Sequence, residues 1–301
     1  SIGAVEVNAS SGSRGEVMRK ADSACYVAKD AGRGRTHLYL DSDEAVMLRQ
    51  GELNWATRLQ QALEHGQFEL HGQRIVAPGH EDEGHYDEML VRLREADGRL
   101  VPPMAFLPAA ERYGLMPALD KTVIVRALQM HGPMQAASSK PVKFAINLSG
   151  ASLSDAKLLD FIRDAMTEYK VAPHLICFEV TETVAIANLQ VAVRLMSELK
   201  QLGCTLSLDD FGSGMSSFSY LKQLPVDVVK IDGSFVRNML VNPVDYAMVE
   251  AVNNIAHQMG LKTLAEYVET PELIAALTTM GVDMLQGYGV GVPEPLSVML
   301  A

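Results

Sequence analysis

Cysteine is scarce in this chain. There are three, Cys25, Cys177 and Cys204, an odd number with no ligand-like spacing. That excludes a disulfide frame and a zinc knuckle, and it fits reduced thiols in a cytoplasmic setting. Positive charge is also in short supply: 26 Lys and Arg stand against 37 Asp and Glu, a formal net charge of -11. Long nucleic acid, held by many Lys/Arg–phosphate contacts, is therefore not an expected partner. A small phosphate ligand remains open, provided that cations mediate between it and the acids. No stretch has the length and apolar continuity of a membrane span, so no membrane contact is expected within the chain. The opening SIGAVEV has the pattern of an interior strand and not of a cleavable leader. The chain thus reads as a piece of a longer protein, cytoplasmic itself even if the whole is membrane-attached.

What is present divides into three parts. Residues 1–40 read as strand, helix and strand, with the helix over about 16–31 and a short strand at 36–40. Forty residues with so few apolar positions cannot make a core alone. Residues 41–66 form one amphipathic pattern through Leu48, Leu53, Leu59 and Leu63, stopped by Gly66, which suits a linker or packing helix. From residue 67 to 301, strands expected at 68–76, 88–93, 143–149, 175–182, 204–209, 228–232, 262–268 and 284–290 alternate with helices. Those helices are expected at about 117–131, 154–168, 187–202, 216–222, 243–259 and 270–280. Eight strands with helices between most of them point to an α/β fold of the (β/α)8, TIM-like barrel type. A doubly wound open sheet is the competing architecture. The first two strands are joined by 77–87 alone, too short for a helix. That join implies an antiparallel hairpin and an irregular barrel.

The strand ends carry the chemistry. Glu88, Asn147, Glu179, Asp209, Lys230 and Glu266 stand where apolar residues are expected, and Gln286 makes a seventh. Strand alternation separates Asn147 from Ile146 and Leu148, Glu179 from Phe178 and Val180, Asp209 from Leu206 and Leu208, and Lys230 from Val229 and Ile231. The bulky set can face the helices and the polar set the barrel interior near its top, where barrel enzymes place their sites. A lone acid at a strand end is most often merely solvated. Several on one face of several strands are costly unless cations neutralise them. Carboxylates plus an amide oxygen are hard ligands, suited to Mg²⁺ or Mn²⁺. His71, His80 and His85 lie away from the strand ends and read as surface residues. Asp209 and Asp210 are adjacent, so both reach one site only if the chain turns at once, which Phe211-Gly212-Ser213-Gly214 permits. Such a pair can hold two ions that clamp the attacking and leaving oxygens of a phosphoryl displacement. Lys230 either pairs with a neighbouring acid or orients the attacking water and offsets phosphoryl charge. Arg92 either forms a surface ion pair with Glu88 or Glu95 or holds a phosphate.

The segment from about 52 to 295 resembles the EAL-domain phosphodiesterases, which open cyclic di-GMP to linear pGpG. The matching stretches are EMLVR at 88–92, NLS at 147–149, FEVTET at 178–183, DDFGSGMSSFSYLKQLPVDVVKID at 209–232, AEYVET at 265–270 and QGY at 286–288. The resemblance implies that Glu88, Asn147, Glu179, Asp209 and Asp210 are metal ligands of a two-ion site. It implies that Lys230 helps position the nucleophilic water, and that Glu266 serves metal binding or base catalysis. Glu182 corresponds to the residue that braces the Asp-Asp-Phe-Gly loop. Gln73, Arg92, Asp232, Glu269 and Gln286 correspond to substrate-binding positions, Arg92 at a phosphate. Residues 1–40, with ADSACYVAKDAGRGRTHLY, resemble the last part of a GGDEF diguanylate cyclase domain, whose signature is missing, so no cyclase activity is expected.

The chain departs from the family pattern in places. Met89 replaces the Ala of the naming triplet and by alternation faces the helix layer, away from Glu88. Arg74 replaces a Pro, the acidic APGHEDEGHY replaces the following turn, and a Trp and a His-Pro after the second strand are absent. These changes bear on dimer contacts and affinity more than on the reaction. The expectation is a cyclic di-GMP hydrolase of bacterial second-messenger signalling that forms a homodimer. The alternatives are a receptor that binds cyclic di-GMP without cleaving it and a dimerisation module within a longer protein.

Overall fold

The computed structural model describes residues 1–7, 13–30, 34, 36–39, 55–80, 84–212 and 219–299. It divides into two units, one of residues 1–65 with 104–115 and one of 66–103 with 116–301.

In the first unit, β1 (Ile2–Val5) pairs in parallel with β2 (Thr36–Tyr39), and α1 (Arg14–Asp30) connects them. The helix lies close because its contact residues are small. Ala24 and Ala28 are fully buried, and a Cβ at Gly3 would meet Ala21 O and Cys25 N at 2.1 Å. Residues 55–64 form α2, whose Leu59 and Ala62 are buried. Trp55 stacks at a tilt on Phe106, 6.4 Å between centroids, just before α3 (Leu107–Arg112). Of the helix expected over 41–66, residues 41–54 lie outside the described residues.

The second unit is a closed barrel. Its strands in chain order are β3 (Phe68–Val76) and β4 (His85–Arg94), then, beyond the two-residue β5 (Leu100–Val101), β6 (Val142–Asn147), β7 (Ile176–Thr181), β8 (Thr205–Phe211), β9 (Val228–Ile231), β10 (Lys262–Ala265) and β11 (Met284–Gln286). Strand β3 closes the ring by pairing antiparallel to both β4 and β11, while the remaining neighbours are parallel. Ring closure removes the open-sheet alternative. β5 and a second short strand, β12 (Glu294–Pro295), extend β4 and β3 outside the ring. Around it run α4 (Met116–Ala137), α5 (Gly150–Leu153), α6 (Leu158–Tyr169), α7 (Glu182–Ala187), α8 (Leu189–Leu202), α9 (Gly233–Val236), α10 (Pro243–Gln258), α11 (Pro271–Met280) and α12 (Leu296–Met299).

Alternation organises the core. The outward residues Phe144, Ile146, Phe178, Val180, Leu206, Leu208, Val229 and Ile231 share one large cluster with Ile124, Leu128, Ile162, Met196, Leu199, Val252 and Leu277 of the helices. Burying such side chains is worth roughly 1.5–3 kcal/mol each. A smaller inward cluster of Ile75, Val228, Leu264 and Met284, flanked by Tyr86, fills the lower barrel. On the outside of this lower end, aspartates tie strand starts together. Asp227 accepts from Leu206 N at 2.9 Å, and Asp283 accepts from Thr263 N at 2.8 Å.

Element boundaries differ from expectation where the backbone leaves the regular regions. β4 begins at His85, three residues early, and β10 stops at Ala265 because Tyr267 takes φ +54°. β11 stops at Gln286 because the backbone of Gly287 lies against Val268, with 2.2 Å from a hypothetical Cβ to Val268 N. The helices expected at 154–168 and 187–202 are each preceded by a separate short one, α5 and α7. The helix expected at 216–222 falls partly outside the described residues, and 221–223 form a single 3₁₀ turn. His71 is not a surface residue: it is buried on β3, with Nε2 3.1 Å from Glu69 Oε1. His85 is half-buried, beside Arg74.

Candidate active site

Lys230 is the centre of the upper barrel. It lies on β9, facing inward, with no solvent exposure. Its Nζ is 2.9 Å from Glu179, 2.9 Å from Glu266, 3.1 Å from Asp209 and 3.7 Å from Glu88. These acids come from β4, β7, β8 and the end of β10, so the barrel itself makes them converge. Burial alone would drive the ammonium toward neutrality, but the surrounding carboxylates reverse that and raise its pKa well above the ordinary lysine value.

The acids respond in the complementary way. Burial pushes the Glu179 carboxyl well up. Lys230 opposes the shift, and the negative charges of Glu88 and Asp209 reinforce it. Glu266 moves up for the same leading reason. Asp210 rises to about 6, first through burial and then through repulsion from Asp209 and Asp232. One ammonium does not neutralise Glu88, Glu179, Asp209, Asp210 and Glu266 together.

Local backbone geometry makes the aspartate pair work. The turn begins at Asp210 itself, at φ +55°, one residue before the expected Phe-Gly. The β8–β9 register slips between Leu208 and Phe211, which is a bulge. The bulge turns both adjacent carboxylates to one side, and Asp209 Oδ1 also accepts from Asp210 N at 2.9 Å. Glu182, the first residue of α7, accepts from Gly212 N at 2.9 Å and from the Tyr220 hydroxyl. Nothing in sequence spacing marks Tyr220 as that partner.

A polar chain lines the other side. Glu88 Oε1 accepts from Asn147 Nδ2 at 2.7 Å, and Glu88 Oε2 accepts from Gln286 Nε2 at 2.7 Å. Gln286 Nε2 also donates to Gln73 Oε1 at 3.3 Å, and Gln73 Nε2 donates to Gly291 O at 3.1 Å. The 286–289 segment is laced to the strand-end loop of β10 through Val268 N to Gln286 O and Gly289 N to Val268 O.

The sequence-derived residues do not all gather equally. Asp209, Asp210 and Glu266 each bring a ligand oxygen within 4.8 Å of the others. Glu88, Asn147 and Glu179 adjoin this trio through Lys230 and the Asn147–Glu88 bond. Asp232 caps α9, accepting from Ser234 N at 2.7 Å, and its charge reaches Asp210. Arg92 is half-buried and donates to Val91 O at 2.9 Å. Burial lowers its pKa, while Tyr288 and Glu88 pull the other way. Glu269 is exposed on the loop after β10. Tyr288, two-thirds exposed beside Arg92, is a rim residue that strand patterning does not reveal.

A cation fits this donor set. Glu179 Oε1 and Gln286 Oε1 are buried acceptors with no hydrogen-bond partner among the described residues, a costly state that an ion would relieve. The donors are hard oxygens and one amide, with no thiolate or imidazole among them. Cys177 and Cys204 are buried, and burial pushes each thiol up to about 12, which disfavours the thiolate.

Comparison with known proteins matches the EAL domain family over residues 56–293. The chain is 39% identical over 282 residues to the cyclic di-GMP phosphodiesterase PdeB of Shewanella oneidensis, covering 94% of this chain and 33% of that protein. It is 37% identical over 239 residues to the cyclic di-GMP phosphodiesterase PdeF of Escherichia coli, covering 79% of this chain and 32% of that protein. The chain therefore spans about a third of the length of these relatives. The barrel superposes on the PaMucR phosphodiesterase in its c-di-GMP complex with a TM-score of 0.76 at 33% identity, over 82% of this chain and 99% of that one. It superposes on the FimX EAL domain of Pseudomonas aeruginosa bound to c-di-GMP with a TM-score of 0.74 at 30% identity, over 80% and 96%. The family match takes in most of the chain, on the strands that carry the acidic cluster, and the chain belongs to the EAL domain family.

Proposed function

We propose that this chain hydrolyses cyclic di-GMP to linear pGpG with two divalent cations, Mg²⁺ or Mn²⁺. The supporting observation is the charge imbalance around Lys230, where four carboxylates converge on one ammonium and Asp210 adjoins two of them. Asp209, Asp210 and Glu266 would hold one ion, and Glu88, Asn147 and Glu179, with Asp209 shared, the other. Bound there, the ions supply an acidified water and charge stabilisation on the phosphoryl oxygens. Lys230 keeps its proton and donates to the acids that frame the water, and its fixed positive charge faces the developing negative charge. Glu88 keeps its acceptor oxygens aimed inward through Asn147 and Gln286. Glu182 holds the Gly212 amide and so the turn that presents Asp210. Gln73, Gln286, Arg92, Asp232 and Glu269 ring the opening as substrate contacts, with Arg92 facing a phosphate.

The test is incubation of the purified chain with cyclic di-GMP and Mg²⁺ or Mn²⁺, followed by chromatography. A pGpG peak that Glu88→Ala abolishes supports the reading, and intact substrate after prolonged incubation overturns it. A receptor reading has its own observation, since Lys230 already serves as an internal counter-ion for Glu179 and Glu266. Saturable cyclic di-GMP binding without pGpG would favour it.

We also infer a homodimer. Leu240, Val241, Val244 and Met248 expose an apolar stripe at the start of α10, Val241 at 83%. Light scattering at the monomer mass would refute it. Residues 1–40 we assign to the end of a GGDEF-like domain and 41–66 to a linker, within a longer cytoplasmic signalling protein. No described helix is long and apolar enough to cross a membrane.

A further inference from the structure

We propose that Tyr267 is a positioning residue for Glu266, held by a clamp of Gly233 below and Arg237 above its ring. The proposal rests on the metal-site reading given above. Tyr267 follows Glu266 directly and takes φ +54°, a left-handed conformation that bulky residues rarely adopt. That turn ends β10 and leaves Glu266 Oε1 on Lys230 while Val268 N pairs with Gln286 O. Something must hold the tyrosine there, because its hydroxyl makes no hydrogen bond among the described residues and half of the residue is exposed. The ring supplies the hold. A Cβ built on Gly233 would stand 2.0 Å from Tyr267 Cδ2 and 2.6 Å from Cγ, so the ring lies flush on that glycine. The Arg237 guanidinium carbon sits 4.6 Å from the ring centroid, a cation–π contact.

Both clamp residues belong to the stretch around α9, and the same short helix holds the second ligand turn. Phe235 covers Gly212, where an added Cβ would come within 3.0 Å of the ring. The two left-handed turns that present Asp210 and Glu266 are thus braced by one element, which fixes the spacing of the two carboxylates. Gly233 and Tyr267 form a matched pair: a tyrosine at 267 requires the absence of a side chain at 233.

The experiment is a double-variant cycle read by Mn²⁺ affinity in calorimetry and by cyclic di-GMP turnover. Gly233→Ala pushes the ring off and is expected to weaken Mn²⁺ binding and lower kcat by about 100-fold, the scale of a 1 Å misplacement, with KM little changed. Adding Tyr267→Gly removes the collision and the clamp together, so Gly233→Ala is expected to cost no more than a few fold beyond Tyr267→Gly alone. Tyr267→Phe, which keeps the ring, is expected to rescue what Tyr267→Ala loses. Circular dichroism confirms that each variant is folded. Wild-type kcat and Mn²⁺ affinity in folded Gly233→Ala, or an undiminished Gly233→Ala loss in the Tyr267→Gly background, overturns the clamp and leaves the site reading intact. A wild-type chain that neither binds Mn²⁺ nor makes pGpG overturns the site reading, and the clamp with it.

Discussion

The upper and lower halves of the barrel interior are built by the same strands with opposite chemistry. On β4, β9 and β11, the inward residues two positions before Glu88, Lys230 and Gln286 are Tyr86, Val228 and Met284. Leu264 stands two before Glu266, and on antiparallel β3 Ile75 stands two after Gln73. A two-residue step along a strand is about 7 Å. Over that distance the interior passes from an apolar plug to a cluster of five carboxylates and one lysine. The plug excludes water from beneath, so burial does most to raise Glu179, Asp210 and Glu266. Inward orientation is set by strand alternation, and height along the strand decides whether an inward residue stabilises the fold or serves the site.

That division can be broken from either side. The largest expected effect comes from the upper layer. Lys230→Met removes the only cation among the buried acids of the described residues and is expected to lower turnover by about 10²–10³-fold. It also leaves buried charge uncompensated, at a cost of about 3–5 kcal/mol of metal-free stability. Steady-state kinetics and urea titration read the two effects. Unchanged turnover would remove Lys230 from the reaction. Leu264→Ala, one step below, is expected to behave in the opposite sense. It should cost about 2–5 kcal/mol by opening a cavity, while kcat of the folded fraction stays within a few fold. A kcat loss matching that of Lys230→Met would show that the two layers are not separable. Third, chelation with EDTA should lower the melting point of the wild type, since an ion held at 100 times its Kd contributes about 2.7 kcal/mol. Glu179→Gln should shrink that shift and Leu264→Ala should not.

Much of this arrangement is visible in the sequence, for a physical reason. Period-two alternation in FAINLS, CFEVTE, LSLDD and VVKID reports which residues face in, and the eight strands and the antiparallel first hairpin follow from it and from the short 77–87 join. Met89 shows the same rule applied to a departure, because it lies buried among outward-facing core residues. What alternation does not report is conformation off the regular regions. The left-handed Asp210 and Tyr267, the bulge in β8 and the Tyr220–Glu182 bond depend on contacts between segments distant in the chain. So does the place of Lys230. From the strand alone it could pair with one acid or orient a water, and only ring closure brings four acids within reach of it. The burial of His71 depends on a distant segment too, because Pro295 of β12 pairs with it on β3.

The smallest expected effect sharpens the comparison at the lower rim, where an acid is shifted the other way. Burial tends to raise the pKa of Asp283. Hydrogen bonds from His257 and from the Thr263 amide and hydroxyl outweigh it, so the carboxyl is held below its ordinary value. A group whose folded pKa is depressed adds stability above its unfolded pKa, and that stability is lost as pH falls through the folded value. For Asp283 the window lies below about pH 4, the ordinary aspartate range. Asp283→Asn should therefore lower the melting point modestly at pH 7, and the gap to wild type should close as pH falls below about 4. The raised acids of the upper layer carry the reverse sign: they bind protons more readily in the folded state, so without metal they favour the fold more as pH falls. An Asp283→Asn gap that widens on acidification would mean that the latch does not depend on the ionised carboxylate, and that the two ends of the barrel do not differ in the way their pKa shifts require.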